Sequence, residues 1–288
     1  MSLYALVSAG GSPGVTTAAL ALSLGWPGQV ILAECDPSGG DILAGLFAGH
    51  MPARNGLLAL AIEAGQSPDA AASALWPQLI ELDDERGRLL LAGISDPRQS
   101  TALAPVWPVL AATLAAQPAD VIADCGRLDA DGGPAPVLTA ASLVVLVLRP
   151  TLRQISKARA RVEMLARILG GSGRLALLLI GEGTNHPGEI SRALGIPVVG
   201  SLPYDAKTAG VLSDGTGSRR GLQARPLIRA AGPAGRALRD AAPGASARPP
   251  YPPGPAPPRT RCSRPRRAWR PPVPDHRAPG RWPAARTA

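Results

Sequence analysis

The chain has few cysteines and no long apolar run. Its three cysteines, Cys35, Cys125 and Cys262, are too few and too scattered over 288 residues for a disulfide framework, which predicts a reducing compartment. The longest strongly apolar run, SLVVLVL at 142–148, is far shorter than the ~20 residues of a membrane-spanning helix. The N-terminus also lacks the basic region of a signal peptide. We therefore expect a cytoplasmic protein.

Positive charge is confined to one end of the chain. Residues 243–288 hold ten arginines, 14 prolines and a single acid, whereas the charges of residues 1–242 cancel. A segment of that composition cannot bury enough apolar surface to offset its chain entropy. We predict a folded domain at 1–242 and a disordered Pro/Arg-rich tail at 243–288. Such a tail is suited to non-specific contact with DNA or anionic lipid, including peripheral association with a membrane.

Short apolar runs alternate with helical patterns from residue 3 to about 240. Continuous apolar runs are typical of strands that are covered on both faces, and their alternation with helices indicates a largely parallel sheet. We predict an α/β fold of about seven strands with helices on both faces, in three layers. The predicted strands are 3–8, 29–34, 88–93, 120–124, 143–148, 175–180 and 197–202, and the predicted helices are 15–25, 56–65, 100–116, 152–170, 186–194 and 206–214.

Polar and glycine-rich segments follow four of these strands. They are residues 9–17, 35–41, 124–127 and 203–205. In open α/β sheets ligands bind outside the carboxyl ends of the strands. The sequence therefore predicts one ligand site at that edge.

The first of these segments, AGGSPGVTT at 9–17, has the composition of a phosphate-binding loop. Backbone N–H groups at a glycine-rich turn that opens a helix form an anion site, and a threonine hydroxyl at its end can bind Mg²⁺. No lysine stands in the segment. A tight strand-to-helix turn without a ligand remains an open alternative. The candidate nucleotide-binding residues here are Gly10, Gly11, Ser12, Gly14, Val15, Thr16 and Thr17.

These segments together resemble the MinD/ParA family of deviant P-loop ATPases over roughly residues 1–240. ILAECDPSGGD is similar to the family's second acidic motif, DVIADCGRL to its Walker B segment, and IPVVGSLPYDAKTAGVLSDG to its late Pro-x-Asp segment. The closest similarity is to chromosome-partitioning and Tad/CpaE-type pilus-assembly ATPases. Two lysines of the family's loop are replaced, by Gly10 and Val15, and an apolar stretch around Ile180 replaces the asparagine that often recognises the base.

The resemblance implies ATP or ADP with Mg²⁺ as cofactor and a homodimer that positions a pilus, secretion or partitioning assembly through partner proteins. Without the two lysines we expect slow or absent hydrolysis. A nucleotide-free scaffold is the alternative. By resemblance, the catalytic residues are Glu34, Asp36 and Asp124, the metal ligands are Thr16, Asp36 and Asp124, and Pro203 and Asp205 are further nucleotide contacts. Gly126 and Arg127 are added as nucleotide contacts by their position, on the loop that leaves the strand ending in Asp124, which such sheets place beside the phosphate loop.

Three of these residues carry an open alternative. Asp36 precedes Pro37, and an aspartate there is also typical of a turn. Glu34 either orients the attacking water or is a solvated or ion-paired carboxylate at a strand end. Arg127 either grips phosphate in place of the missing lysines or is an ordinary surface arginine.

Overall fold

The computed structural model describes residues 1–10, 14–47, 56–83, 87–128 and 134–243. In this part of the chain a single sheet runs in the order β3-β4-β2-β5-β1-β6-β7-β8, and all its strands are parallel except β3, which pairs antiparallel with β4 at one edge. The predicted α/β sheet is confirmed, with one short strand added. The strands are β1 (Leu3–Ser8), β2 (Val30–Glu34), β3 (Ile80–Glu81), β4 (Arg88–Leu91), β5 (Asp120–Arg127), β6 (Leu143–Leu148), β7 (Leu175–Ile180) and β8 (Val198–Leu202).

Helices cover both faces of the sheet, as the sequence predicts. Side chains of β1 alternate between two buried clusters: Leu3, Ala5 and Val7 pack on one face, and Tyr4 and Leu6 on the other. Helices α2 to α8 lie mainly on the first face, and α1, α9 and α10 on the second. The helices are α1 (Val15–Gly25), α2 (Leu57–Ala64), α3 (Pro68–Ala74), α4 (Ser100–Leu103), α5 (Trp107–Ala115), α6 (Ala135–Ala140), α7 (Leu152–Leu169), α8 (Pro187–Leu194), α9 (Ala206–Ser213) and α10 (Pro226–Ala241).

The prediction of one helix over 100–116 is wrong. The structure divides this segment into α4, a short 3₁₀ turn at Ala104–Val106, and α5. Pro105 and Pro108 account for the break, because proline lacks the backbone N–H that an α-helix needs beyond its first turn. Both prolines lie in the first turn of a new element, where no donor is required.

Helix α10 extends the folded part of the chain to residue 241. Sequence patterning alone did not predict it, since it contains Pro233 and two glycines. Small residues let α10 lie very close to α1: a Cβ at Gly25 would come within 2.9 Å of Ala231 Cβ and 3.0 Å of the Gly232 N atom. Close packing therefore outweighs weak helix propensity. The predicted tail lies almost wholly outside the described residues and stays a prediction.

A buried aspartate fixes α10 at the amino end of the sheet. The Asp120 carboxylate accepts hydrogen bonds from the Ser2 backbone N–H (2.9 Å) and from Trp26 Nε1 (3.1 Å). Arg239 Nε of α10 lies 3.3 Å from the same carboxylate. Since Asp120 is almost fully buried, its charge is stabilised by these partners. The contacts join the residue before β1 and the residue after α1 to β5 and α10, at the amino ends of the strands, opposite the candidate site.

The α1–α10 contact gives a stability test. Gly25→Ala places a methyl group against backbone atoms of α10, so it should destabilise the protein by about 1–3 kcal/mol and lower Tm by roughly 2–10 °C. Gly173→Ala is the matched control, because a Cβ there meets nothing within 4 Å. Thermal melting measures both variants; equal Tm values would contradict the described packing.

Candidate functional site

A glycine-rich loop joins β1 to α1 at the carboxyl edge of the sheet. Gly14 is the N-cap of α1 in the left-handed conformation (φ 94°), and its carbonyl accepts a hydrogen bond from the Ala18 N–H at 2.8 Å. Gly10 also has positive φ (144°). The first turn of α1 has no side-chain cap, which leaves backbone donors there for a ligand. The candidates Gly11 and Ser12 lie outside the described residues.

Val15, one of the predicted nucleotide-binding residues, lies in the first turn of α1. Its side chain is only 6% exposed and packs in the hydrophobic cluster that contains Leu6 and Leu20. Residue 15 can therefore contact a ligand only through its backbone. The predicted role of Val15 in nucleotide binding is limited to that contact.

Thr16 and Asp124 meet beneath this loop. The Thr16 side chain hydrogen-bonds to the Asp124 carboxylate, which also accepts the Gly126 backbone N–H at 3.0 Å. Burial raises the pKa of Asp124 to about 7; the two hydrogen bonds oppose this rise, and the negative charges of Glu34 and Asp36 add to it. The structure thus brings together two of the three predicted metal ligands.

Glu34 is held inside the protein by backbone donors. Its two carboxylate oxygens accept N–H groups of Ile42 and Gly93, each at 3.0 Å, and the side chain is 2% exposed. Burial raises its pKa, while the backbone hydrogen bonds lower it. A Cβ at Gly40 would lie 2.7 Å from one of its oxygens, so the loop closes tightly over the carboxylate. These hydrogen bonds fix the loop that contains Ile42 and the loop that contains Gly93 at the carboxyl ends of the strands. A catalytic role for Glu34 stays a prediction.

Asp36 faces β5 across the same edge. Its Oδ1 accepts the Ser38 N–H at 2.7 Å, which is the turn that the sequence left open as an alternative. Gly126 adopts φ 62°, and a Cβ at this position would collide with the Asp36 carboxylate. Glycine at 126 therefore provides the space in which Asp36 approaches Asp124. The three acidic residues predicted for the site, Glu34, Asp36 and Asp124, therefore lie together at the carboxyl ends of β2 and β5.

Arg127 ends β5 beside the end of β1. It lies in register with Ser8, whose carbonyl accepts the following Leu128 N–H at 2.9 Å, and its side chain is exposed. The strand continues three residues past Asp124, further than predicted, with a register shift that absorbs the extra residue. Arg127 is therefore next to the loop, and its contact with phosphate stays a prediction.

A cavity of about 200 Å³ opens on the other side of the loop. It is lined by Gly14 and Thr17 of the loop and by Pro203 and Asp205 from the segment after β8, so the structure brings two distant predicted segments together. The Asp205 carboxylate caps α9 by accepting the Thr208 N–H at 3.0 Å. A second cavity, of about 570 Å³, borders Thr16 and Thr17 on the side of α9's last turn. Open volume thus borders the loop on two sides.

The smaller cavity also contains a residue that the sequence analysis missed. Arg149 follows β6, and its guanidinium carbon lies 4.7 Å from the ring centroid of Tyr204, whose side chain is 62% exposed. The Nε atom of Arg149 is buried and has no hydrogen-bond partner among the described residues. Arg149 directly follows an apolar strand. The rule that ligands bind at the carboxyl ends of the strands, which indicated Arg127, therefore also indicates Arg149.

The strand order, the glycine-capped loop after β1 and the acids at the ends of β2 and β5 define a P-loop NTPase-like fold. No protein-family model matches the chain, and no curated protein matches it either. Solved structures do match. The cell division ATPase MinD from Pyrococcus furiosus is 16% identical with a TM-score of 0.63, over 84% of this chain and 99% of its own.

Two further structures support the same fold. The septum site-determining protein MinD from Pyrococcus horikoshii OT3, complexed with Mg-ADP, is 17% identical with a TM-score of 0.59, over 80% of this chain and 94% of that one. A ParA family ATPase from Chlorobium tepidum TLS is 16% identical with a TM-score of 0.58, over 80% and 97%. The chain therefore has a MinD/ParA-like fold, which confirms the resemblance at the level of the fold.

The close approach of the Asp36 carboxylate to Gly126 can be tested by adding a single methyl group at residue 126. Gly126→Ala should displace the Asp36 carboxylate and destabilise the protein by more than the ~1–2 kcal/mol cost of a left-handed alanine. Gly170→Ala is the matched control, since Gly170 has a similar φ of 70° and a Cβ there meets nothing. Chemical denaturation compares the two; equal losses would show that Asp36 does not occupy this space.

The raised pKa of Asp124 predicts a pH-dependent stability. The folded protein binds a proton that the unfolded chain has lost between about pH 4 and pH 7, so this residue's contribution to stability falls as pH rises through that window. Without divalent cations, Asp124→Asn should therefore raise the free energy of unfolding above pH 7, by at most roughly 3–4 kcal/mol, and change it little near pH 4. Denaturant titration against pH measures this, with the exposed Glu163→Gln as control. A pH-independent difference would contradict the assignment.

Proposed function

We propose that the protein is a nucleotide-dependent switch that binds ATP or ADP with Mg²⁺ at the carboxyl edge of its sheet. The observation that carries this proposal is the hydrogen bond between the Thr16 side chain and the buried Asp124 carboxylate. It places a hydroxyl and a carboxylate directly under a glycine-capped helix N-terminus, where a phosphate and its metal are both stabilised. The MinD structure from P. horikoshii, complexed with Mg-ADP, supports the choice of ligand.

The side chains at this edge have the chemistry of a Mg²⁺ site. Thr16, Asp124 and Asp36 offer hydroxyl and carboxylate oxygens, which Mg²⁺ prefers. Within the described residues, no group of three or more His, Cys, Asp or Glu side chains forms a metal cage. A Mg²⁺ ion here would therefore take part of its coordination from phosphate and water, as is usual for this metal.

The cavity beside Gly14 is the proposed place for the base. Apolar side chains of Ile180 and Leu202 line it together with Pro203 and Asp205. Tyr204 supplies an exposed ring, which the Arg149 guanidinium contacts on one face. Gly181 leaves room for the base of this side chain, since the Tyr204 Cβ lies 3.1 Å from where a Cβ of Gly181 would be. An aromatic ring and apolar walls with a few polar groups are typical of a base pocket.

Hydrolysis should be slow or absent. The loop lacks both lysines of the family, and removing one group that stabilises transition-state charge typically costs ~10²–10³ in rate. Glu34 is also 2% exposed, and backbone N–H groups hold both of its carboxylate oxygens, so water has little access to them. Binding depends less on the lysines, because backbone donors and Mg²⁺ remain available.

We further propose that the switch acts as a homodimer that positions a larger assembly, such as a pilus, a secretion system or a chromosome locus. The names of the similar proteins, a septum site-determining protein and a ParA family ATPase, support a positioning role. The basic segment 243–288 would add salt-dependent contact with DNA or anionic lipid at a membrane surface. Among the described residues no helix is long and apolar enough to cross a bilayer.

The test is titration of the full chain with a fluorescent ATP analogue, with and without Mg²⁺. Thr16→Ala should remove most of the Mg²⁺-dependent part of the affinity, about tenfold or more, because it deletes the hydroxyl that contacts the metal and Asp124. Thr139→Ala is the control: its exposed hydroxyl donates only to the Ala135 carbonyl of its own helix.

Two outcomes of this titration would count against the proposal. Equal Mg²⁺-dependent affinity in Thr16→Ala and Thr139→Ala would place the nucleotide elsewhere. No binding by the parent protein would favour the alternative function, a nucleotide-free scaffold that keeps the fold for protein contacts only.

A further inference from the structure

A lysine of helix α7, Lys157, lies beside the glycine-rich loop, which contains no lysine of its own. The buried stripe of α7 consists of Gln154, Ala158, Val162 and Leu165, and Lys157 lies at the flank of that stripe. The Lys157 Cδ atom is 3.9 Å from the position that a Cβ of Gly10 would occupy. The aliphatic stem of Lys157 therefore borders the start of the glycine-rich loop, where a side chain at position 10 would touch it.

We propose that Lys157 binds the phosphates of the nucleotide held by its own chain, entering from α7 the space that a longer side chain at position 10 would fill. The inference rests on the proposed function, since it names a cation for the same site. Glycine at position 10 favours this arrangement, because a long side chain there would occupy the space beside the lysine stem.

Charge and reach both favour Lys157 for this role. It is exposed, and within the described part of the chain no carboxylate pairs with it. The ammonium group lies two bonds beyond Cδ, so it is a mobile donor beside Gly10, the first glycine of the glycine-rich loop. An ammonium is a compact donor of three hydrogen bonds, well suited to phosphate oxygens.

Two arginines of α7 that follow Lys157 are engaged elsewhere. Arg159 Nη2 donates to the Ala193 carbonyl at 3.5 Å, toward α8, and Arg161 Nη1 contacts Met164 Sδ at 3.7 Å on the same helix. Lys157 is also one of only two lysines among 288 residues; the other, Lys207, is exposed on α9. The position of Lys157, rather than the general basicity of α7, is what distinguishes it.

The first test compares single-charge variants of the full chain in Mg-ATP titrations. Lys157→Met keeps the stem and removes the charge, so we expect about tenfold or more weaker binding with an unchanged Tm. Arg167→Met is the matched control: it removes one exposed cation ten residues further along α7, roughly 15 Å away along the axis and beyond the ~8 Å screening length at physiological salt. Lys157→Arg should retain most of the affinity.

Tripolyphosphate with Mg²⁺ separates phosphate contact from base contact. Lys157→Met should weaken tripolyphosphate binding by the same factor as ATP binding, because the lysine contacts phosphate only. A loss for ATP alone would overturn the proposed contact and place Lys157 at the base or ribose instead.

The second test is amine labelling with an acylating reagent, followed by mass spectrometry. Saturating Mg-ATP should slow acylation of Lys157 severalfold. The N-terminal amine, at the opposite edge of the sheet, should react at an unchanged rate and serves as the reference within the same sample. Equal reactivity of Lys157 with and without Mg-ATP would overturn the inference.

Failure of this inference is distinguishable from failure of the proposed function. If the parent binds Mg-ATP and Lys157→Met binds as well as Arg167→Met, the nucleotide site stands and Lys157 has no part in it. If the parent binds neither Mg-ATP nor tripolyphosphate, both proposals are overturned.

Discussion

The hydrogen bond between Thr16 and Asp124 is the interaction on which the site depends. It connects the first turn of α1 to the central strand β5 through a carboxylate that is 2% exposed. A buried carboxylate is costly without partners, so the Gly126 N–H and the Thr16 side chain fix its place. Asp36 can approach only because residue 126 is a glycine. A few linked contacts thus hold the glycine-rich loop and the candidate metal ligands at the carboxyl ends of the strands.

The negative charge of the carboxylates at the carboxyl ends of the strands repels a phosphate ligand. Glu34, Asp36 and Asp124 lie together, and their mutual repulsion contributes to the raised pKa of Asp124. The loop itself contributes no cation. The cations that border it come from other elements: Arg127 from the end of β5 and Lys157 from α7, in addition to the Arg149 guanidinium after β6. Together with Mg²⁺ they would balance the charge of a triphosphate in the proposed site.

Much of the fold could be predicted from the sequence, because its strands are continuous apolar runs and the residues after them share one edge. Helix α10 could not, since Pro233 and its glycines contradict helix propensity and only contact with α1 explains them. The site was predictable where residues are adjacent in sequence to a strand end. Lys157 was not, because it reaches Gly10 from a helix nearly 150 residues away and no local pattern indicates that contact. The backbone partners of Glu34 likewise appear only in the folded chain.

The proposed site would bind a nucleotide without any lysine in its loop. A crystal structure of the chain grown with Mg²⁺ and a non-hydrolysable ATP analogue is the decisive measurement. We expect phosphates at the N-terminus of α1 above Gly14, a Mg²⁺ ion contacted by Thr16, and the base in the cavity beside Tyr204 and Pro203. Nucleotide bound at another surface, or absent from crystals grown at saturating concentration, would contradict this expectation.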